Sequence, residues 1–241
     1  MARLTWQHAT VVGIHQETTT ARTLTLDVDG WLGHRPGQHV DVRLTADDGY
    51  TAVRPYSVAT PRDGTLIDLT VELTEGGEVS SYLVADAALG TEMEVRGPLG
   101  GWFVWDPGDS APVQLIGGGV GVAPLMAMLR EHDRQVERHP MRLIYVTRDP
   151  GRLLYAKELV QRAEAVDPTS TITIVYTRHA PDSSARPPGR LTASDITVYG
   201  LPALSRTRCY VCGPTAFVEA SIGLLEAAGF SGTDIRAERF G

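Results

Sequence analysis

Over its first hundred residues the chain alternates apolar and polar positions in short runs. Thr10 to Ile14, Thr23 to Val28, His39 to Leu44, Tyr56 to Ala59, Leu66 to Leu73 and Glu92 to Val95 follow the period of two expected of half-buried strands. Turn-forming clusters separate them: Asp29-Gly30, Arg35-Pro36-Gly37, Asp47-Asp48-Gly49 and Asp63-Gly64. Strands of this length and spacing predict a small antiparallel β-barrel or sandwich. One helix is expected within it, where Gly76-Gly77-Glu78 leads into Val79-Ser80-Ser81-Tyr82-Leu83-Val84.

Near Asp106-Pro107-Gly108-Asp109 the pattern changes. Val113 to Ile116, apolar but for Gln114, reads as a strand buried on both faces. Ala123 to Val136 then carries apolar residues on a loose helical face, at 125, 126, 129 and 136. Arg142 to Thr147 reads as the next strand, Leu153 to Val166 as a helix, and Thr171 to Tyr176 as a third strand. Tyr176 to Pro188 reads as an exposed loop. Arg208 to Cys212 is a fourth strand, followed by a helix from about Thr215 to Ala228. Strands alternating with helices predict a doubly wound parallel sheet. The chain therefore divides into a β-domain, residues 1–108, and an α/β domain, residues 109–241.

Composition narrows the function classes. Lys and Arg number 22 against 29 Asp and Glu, a net charge of −7, which argues against a general nucleic-acid surface. No apolar run approaches the roughly 20 residues that span a bilayer. Met1-Ala2-Arg3-Leu4-Thr5-Trp6 lacks the apolar core of a signal peptide, so the chain is expected in the cytoplasm, away from membranes. The only two cysteines, Cys209 and Cys212, have C-x-x-C spacing. On a strand, residues three apart point to opposite faces, so neither a redox pair nor a metal site is expected. Two cysteines are also too few for a cysteine-ligated iron–sulfur cluster.

Two motifs carry the chemistry. Gly117-Gly118-Gly119-Val120-Gly121-Val122-Ala123-Pro124 follows a strand and opens a helix. Backbone amides there can approach a diphosphate, and proline suits the first helical turn. Tight strand–helix packing is the plain alternative. Arg54-Pro55-Tyr56-Ser57 gathers a guanidinium, an aromatic ring and a hydroxyl, a set suited to a flat, phosphate-bearing cofactor. Gly76-Gly77-Glu78-Val79-Ser80 adds a second glycine turn that opens a helix, a second anion site. Cys212-Gly213-Pro214-Thr215 ends a strand and starts a helix, where ligands of open α/β sheets bind. The plain alternative is a buried cysteine at a strand end.

The ordered set RPYS, GGEVSSYL, GGGVGVAP and CGPTAFVE resembles the ferredoxin–NADP reductase superfamily over nearly the whole chain. Glu238-Arg239-Phe240-Gly241 is similar to the end of the reductase part of bacterial oxygenase reductases. The resemblance implies an FAD-binding barrel followed by an NAD(P)H-binding α/β domain, with the chemistry at their junction. It implies that Tyr56 stacks on the isoalloxazine, Ser57 hydrogen-bonds near its reactive nitrogen, and Arg54, beside Pro55, pairs with the flavin phosphates. Val71 would border those phosphates, and Gly76, Gly77, Val79 and Ser80 would hold them at the helix start. Gly119, Val120 and Gly121 would pass the NAD(P)H diphosphate. Cys212, with Gly213 and Pro214, would lie beside the nicotinamide, Glu238 near Ser57, and Phe240 over the flavin. One departure is Val71-Glu72, where relatives often carry a basic residue after the valine. NADPH is favoured over NADH, because Thr147-Arg148 and Arg178 stand at strand exits where a 2′-phosphate would lie.

The resemblance leaves three functions. The first is a reductase that passes electrons singly to a separate ferredoxin or oxygenase component. The second is an NAD(P)H:flavin reductase or diaphorase. The third is a non-catalytic FAD-binding subunit of a larger redox complex.

Overall fold

A computed structural model describes residues 5–61, 64–165, 167–203 and 206–240. Asp63 of one expected turn, Val166 at the end of one expected helix, and Gly241 lie outside them. The chain forms two compact units: Met1–Asp106 with Met126–Glu131, and Pro107–Leu125 with His132–Gly241.

The first unit is built on β1 (Gln7–Thr18), β2 (Ala21–Val28), β3 (His39–Thr45), β4 (Thr51–Ser57), β5 (Leu66–Glu72) and β6 (Glu92–Leu99). They form one antiparallel sheet in the order β4-β3-β6-β1-β2-β5. A bridge from Val58 to Leu69, just past the end of β4, joins the two edge strands, so the sheet curls on itself in the manner of a barrel. Its inward residues make one core, which includes Val11, Leu24, Leu26, Val40, Val42, Ile67, Leu69, Val71 and Val95.

The strand expected at Tyr56 to Ala59 starts earlier, as β4. Its pairing runs from Thr45 opposite Thr51 to His39 opposite Ser57, across a tight turn closed by the Ala46 amide on the Tyr50 carbonyl at 2.8 Å. Arg54 and Pro55 are exposed and break the alternation that marks a strand in sequence. An edge strand tolerates this, since proline there need not donate to a neighbour. The expected helix after Gly77 is a single α-turn, α1 (Glu78–Ser81), that continues as a π-helical turn over Tyr82–Asp86.

The second unit holds β7 (Val113–Gly118), α2 (Val122–Asp133), β8 (Met141–Thr147), α3 (Ala156–Glu164), β9 (Ser170–Tyr176), α4 (Ala193–Tyr199), β10 (Arg208–Pro214), α5 (Thr215–Ala227) and β11 (Ile235–Phe240). All five strands are parallel, in the order β11-β10-β7-β8-β9. β7 is buried along its whole length, the polar Gln114 included. Two elements lack a clear sequence signal. β11 is a short edge strand with the mixed sequence IRAERF. α4 is only seven residues long and is fixed by a capping box, in which Thr192 and Asp195 satisfy each other's end groups.

A buried glutamine ties the sheet to its return loop. Gln114, fully buried on β7, donates through Nε2 to the Arg142 carbonyl at 3.3 Å and accepts at Oε1 from the Leu201 amide at 2.8 Å. Replacing Gln114 with leucine leaves the Leu201 amide without its acceptor. The expected cost is about 2 kcal/mol of unfolding free energy, read from urea denaturation.

Candidate functional site

The parallel sheet places its own crevice. From β7 the chain winds outward through β8 and β9, then returns to lay β10 on the other side of β7. The winding direction reverses between β7 and β10, and open α/β sheets bind ligands at that point, outside the strands' carboxyl ends. The two segments that emerge there are Gly117–Gly121 and Cys212–Pro214, adjacent in register with Cys212 opposite Gly117.

These two turns touch backbone to backbone. A Cβ on Gly121 would fall 2.3 Å from the Cys212 carbonyl oxygen and 2.7 Å from the Gly213 Cα. Gly119 has a left-handed φ of +56°, which swings the chain from β7 through a 3₁₀ turn into α2. The first amides of that turn and helix have no intrahelical acceptor and lie at the crevice. Val120 is half-buried beside them. Glycine at 121 is thus required by packing.

Cys212 is fully buried at the end of β10 and stands opposite Glu238 of β11 in the parallel register; Pro214 stands opposite Phe240. Burial pushes the Cys212 thiol well above the ordinary thiol range, and the Glu238 charge adds to this, while a hydrogen bond from the Gly213 backbone pulls the other way. The Cys212 thiol therefore stays neutral at physiological pH. Cys209 lies in the core, its thiol pushed up to about 12 by burial and the Asp234 charge. Both cysteines are free. Glu238 and Phe240 are half-buried, and Pro214 is exposed.

β8 and β9 release their chains side by side. The Thr177 amide bonds the Thr147 carbonyl at 2.9 Å, and the Arg178 amide bonds the Arg148 carbonyl at 2.9 Å. Arg148 and Arg178 are thereby brought together, both exposed, and among the described residues neither guanidinium forms an ion pair. Thr147 is different. It is buried, and its hydroxyl donates to the Arg152 carbonyl at 3.1 Å, so its side chain shapes the β8 exit and does not face a ligand.

In the first unit, α1 packs beside β4, so the glycine turn and the Arg54–Ser57 strand are neighbours. Tyr56 packs against the barrel core; burial raises its phenol to about 12, against a pull downward from Arg54. Arg54 is exposed and donates to its neighbour Val53's carbonyl at 2.7 Å. Three sequence expectations change here. The side chains of Val71 and Val79 lie in the core, so only their backbone can meet a ligand. Ser80 is buried, and its hydroxyl accepts from the Thr74 amide at 3.2 Å and donates to the Gly77 carbonyl at 3.2 Å. It fixes the turn from within. What the turn presents outward is the start of α1 and the unobstructed Gly76, which has φ of +70° and nothing within 4 Å of a notional Cβ.

Two residues that the sequence reading missed belong to these neighbourhoods. His39 sits opposite Ser57 in register. Tyr50, exposed in the turn before β4, donates its hydroxyl to Glu78 at the start of α1, 3.1 Å away. Only the pairing of β3 with β4, and of that hairpin with α1, brings them in.

Two outcomes test the geometry. Gly121→Ala is expected to abolish NADP⁺ binding in calorimetry while the purified protein keeps its flavin, because the Cβ meets backbone that cannot yield. Native Cys209 and Cys212 are expected to resist iodoacetamide at pH 8, since both thiols stay protonated there, and to react once the protein is unfolded in urea; mass spectrometry reads both states.

Comparison with known proteins identifies the domain families. Residues 9–104 match the family described as the oxidoreductase FAD-binding domain, and residues 115–222 the oxidoreductase NAD-binding domain. The reductase component of propane 2-monooxygenase from Mycolicibacterium smegmatis is 28% identical over 204 residues, 82% of this chain and 56% of its own length. The chain thus spans little more than half of that relative. The ferredoxin–NAD(P)(+) reductase component of naphthalene 1,2-dioxygenase/salicylate 5-hydroxylase systems from Ralstonia sp. is 28% identical over 231 residues, 96% of this chain and 68% of its own. Among solved structures, the Amycolatopsis cytochrome P450 reductase GcoB superposes with a TM-score of 0.83 at 28% identity, covering 100% of this chain and 71% of that one. The FAD/NAD-binding domain of nitric oxide dioxygenase from Vibrio cholerae shares the fold, with a TM-score of 0.85 over 98% of both chains at 22% identity. With an FAD-binding barrel, an NAD(P)-binding sheet and the four motifs at the ends of their strands, the chain belongs to the ferredoxin–NADP reductase superfamily.

Proposed function

We propose that this protein is an NAD(P)H-dependent flavoprotein reductase that takes reducing equivalents from NADPH in preference to NADH and passes them singly to a separate redox protein, a ferredoxin or an oxygenase component, in the cytoplasm. Residues 1–108 serve FAD and residues 109–241 serve NAD(P)H. The observation that carries the reading is the pair of turns at the reversal of the parallel sheet, where Gly119–Gly121 and Cys212–Pro214 leave backbone amides beside a buried, neutral thiol. The reductase components among the relatives support the partner class.

The cofactors supply the redox chemistry when bound, and the chain supplies position and shelter. Arg54 and the start of α1 oppose the flavin diphosphate, and Tyr56 gives the ring system an aromatic face. Ser57 offers a hydroxyl at the reacting edge, a hydrogen-bond donor where negative charge grows. Gly119 to Gly121 admit the nicotinamide diphosphate to the amides of α2. Cys212 presents an uncharged surface to the nicotinamide, and the carboxyl group of Glu238, its register neighbour, is the group suited to hold a proton. Arg148 and Arg178 take the 2′-phosphate by paired, charge-assisted hydrogen bonds.

The test is anaerobic stopped-flow mixing of the purified protein with NADPH and with NADH, following flavin absorbance. Rapid bleaching, at lower concentration with NADPH, is expected; a colourless protein that neither holds nor reduces added flavin overturns the reading. Ser57→Ala is expected to retain FAD and to slow single-turnover bleaching by about tenfold, the value of one hydrogen bond at the reacting centre. An unchanged rate removes Ser57 from that role.

A further inference from the structure

The loop after β9 is closed on itself. Its first residues hang from Arg148, through the Arg178 amide at 2.9 Å and the His179 amide at 3.2 Å. Its far end returns to the same strand, with the Gly189 amide on the Tyr176 carbonyl at 2.9 Å. Ser184 braces the interior, accepting a turn hydrogen bond at its hydroxyl from the Arg186 amide at 3.4 Å and donating to the Arg186 carbonyl at 2.9 Å.

Arg186 plugs the neck of this loop. A guanidinium has five N–H donors, and here every one is engaged. Nε donates to Asp195 Oδ1 at 2.6 Å and Nη2 to Asp195 Oδ2 at 2.9 Å, a two-pronged pair with a buried carboxylate. Nη1 donates to the carbonyls of Pro187 at 2.9 Å and Gly189 at 3.2 Å, and Nη2 to that of Arg190 at 2.7 Å. Asp195 is itself fixed. Its Oδ2 accepts from the Thr192 amide at 2.8 Å and hydroxyl at 2.7 Å, in the box that caps α4. α4 is anchored in turn by buried Ile196. Burial alone would raise the Asp195 carboxyl, but Arg186 and the Thr192 donors outweigh it and hold the group below the ordinary range. So the loop carrying Arg178 is pinned at one end to the β8 exit and at the other, through Arg186, to the start of a packed helix.

We infer that Arg186 is a positioning residue for the choice between NADPH and NADH. With every donor engaged by the protein it has none left for a phosphate. Its work is to hold the loop neck so that Arg178 stays beside Arg148. Lysine cannot take its place, because a single ammonium cannot reach a carboxylate with two parallel bonds and three carbonyls at once. The inference rests on the assignment of Arg148 and Arg178 to the 2′-phosphate.

The experiment is calorimetric binding of NADP⁺ and NAD⁺ to the flavin-loaded protein and to the variants Arg178→Ala, Arg186→Ala, Arg186→Lys and Asp195→Asn, with hydrogen exchange of the 177–190 amides. Arg186→Ala is expected to weaken NADP⁺ by about tenfold, the value of one charge-assisted contact, to leave NAD⁺ nearly unchanged, and to speed exchange at Arg178 and Gly189. Arg186→Lys is expected to behave like the alanine variant. Asp195→Asn, which keeps side-chain oxygen for the α4 cap, shifts the ratio in the same direction and carries the test if Arg186→Ala does not fold. A selective loss in Arg178→Ala with an unchanged ratio in Arg186→Ala overturns this inference alone, as does full recovery by lysine. Equal loss of both nucleotides in Arg178→Ala, or no NADP⁺ preference in the unsubstituted protein, removes the 2′-phosphate assignment and this inference with it.

Discussion

The close approach of two backbones organises the second unit. At the reversal of the parallel sheet, Gly121 lies so near the Cys212 carbonyl that no side chain fits between them. Gly118 and Gly213 are held by the same packing, since a Cβ on either would run into the Phe217 ring, at 2.6 and 2.7 Å. α5 can then start directly above β10, and the β7 turn can bend into α2 with its first amides exposed to the crevice. A side chain at Gly121 would drive the β7 turn away from the end of β10, and one at Gly118 or Gly213 would displace Phe217 of α5. Packing alone therefore requires glycine at these positions.

The first unit solves a related problem by a different device. A curled antiparallel sheet has two edges to protect, and here they meet at Val58 and Leu69. The strand leading into that seam is the one that carries Arg54, Tyr56 and Ser57. Because β4 is an edge, its outward groups remain available, and proline can be accommodated within it. The adjoining glycine turn is kept open by a hydroxyl that faces inward. Ser80 bonds Thr74 and Gly77 and leaves the start of α1 clear.

Electrostatics divides the chain's arginines into those paired with carboxylates and those left exposed. Arg186, Arg162 and Arg208 are each tied to carboxylates, Arg162 to Glu158 and Asp133 and Arg208 to Asp109 and Asp234. Arg54, Arg148 and Arg178 are exposed and, among the described residues, make no such pair. An unpaired arginine beside a strand exit keeps its full bidentate capacity for a phosphate, whereas a paired one would first have to give up a carboxylate. The buried cysteines complement this, because their desolvated thiols stay neutral.

The sequence by itself determined the two-part architecture and the order of the motifs. Alternation over the first hundred residues and the mostly apolar run at Val113 to Ile116 are local signals, and local signals survive without the tertiary fold. The same holds for the glycine turns, whose residues permit few other conformations. The true extent of β4 was not legible, because Arg54 and Pro55 interrupt a pattern that an edge strand does not need. β11 was missed because pairing with β10 creates it, and its own residues carry little strand preference. Only the tertiary structure decided that Val71 and Val79 face the core, that Ser80 and Thr147 direct their hydroxyls to their own backbone, and that His39 and Tyr50 join the neighbourhood of the motifs. It also decided that Cys212 stands beside Glu238, and that Arg148 and Arg178 share one strand exit while Arg186 holds the loop between them. Each of these depends on which segments are paired across tens of residues, and sequence periodicity carries no information about that pairing.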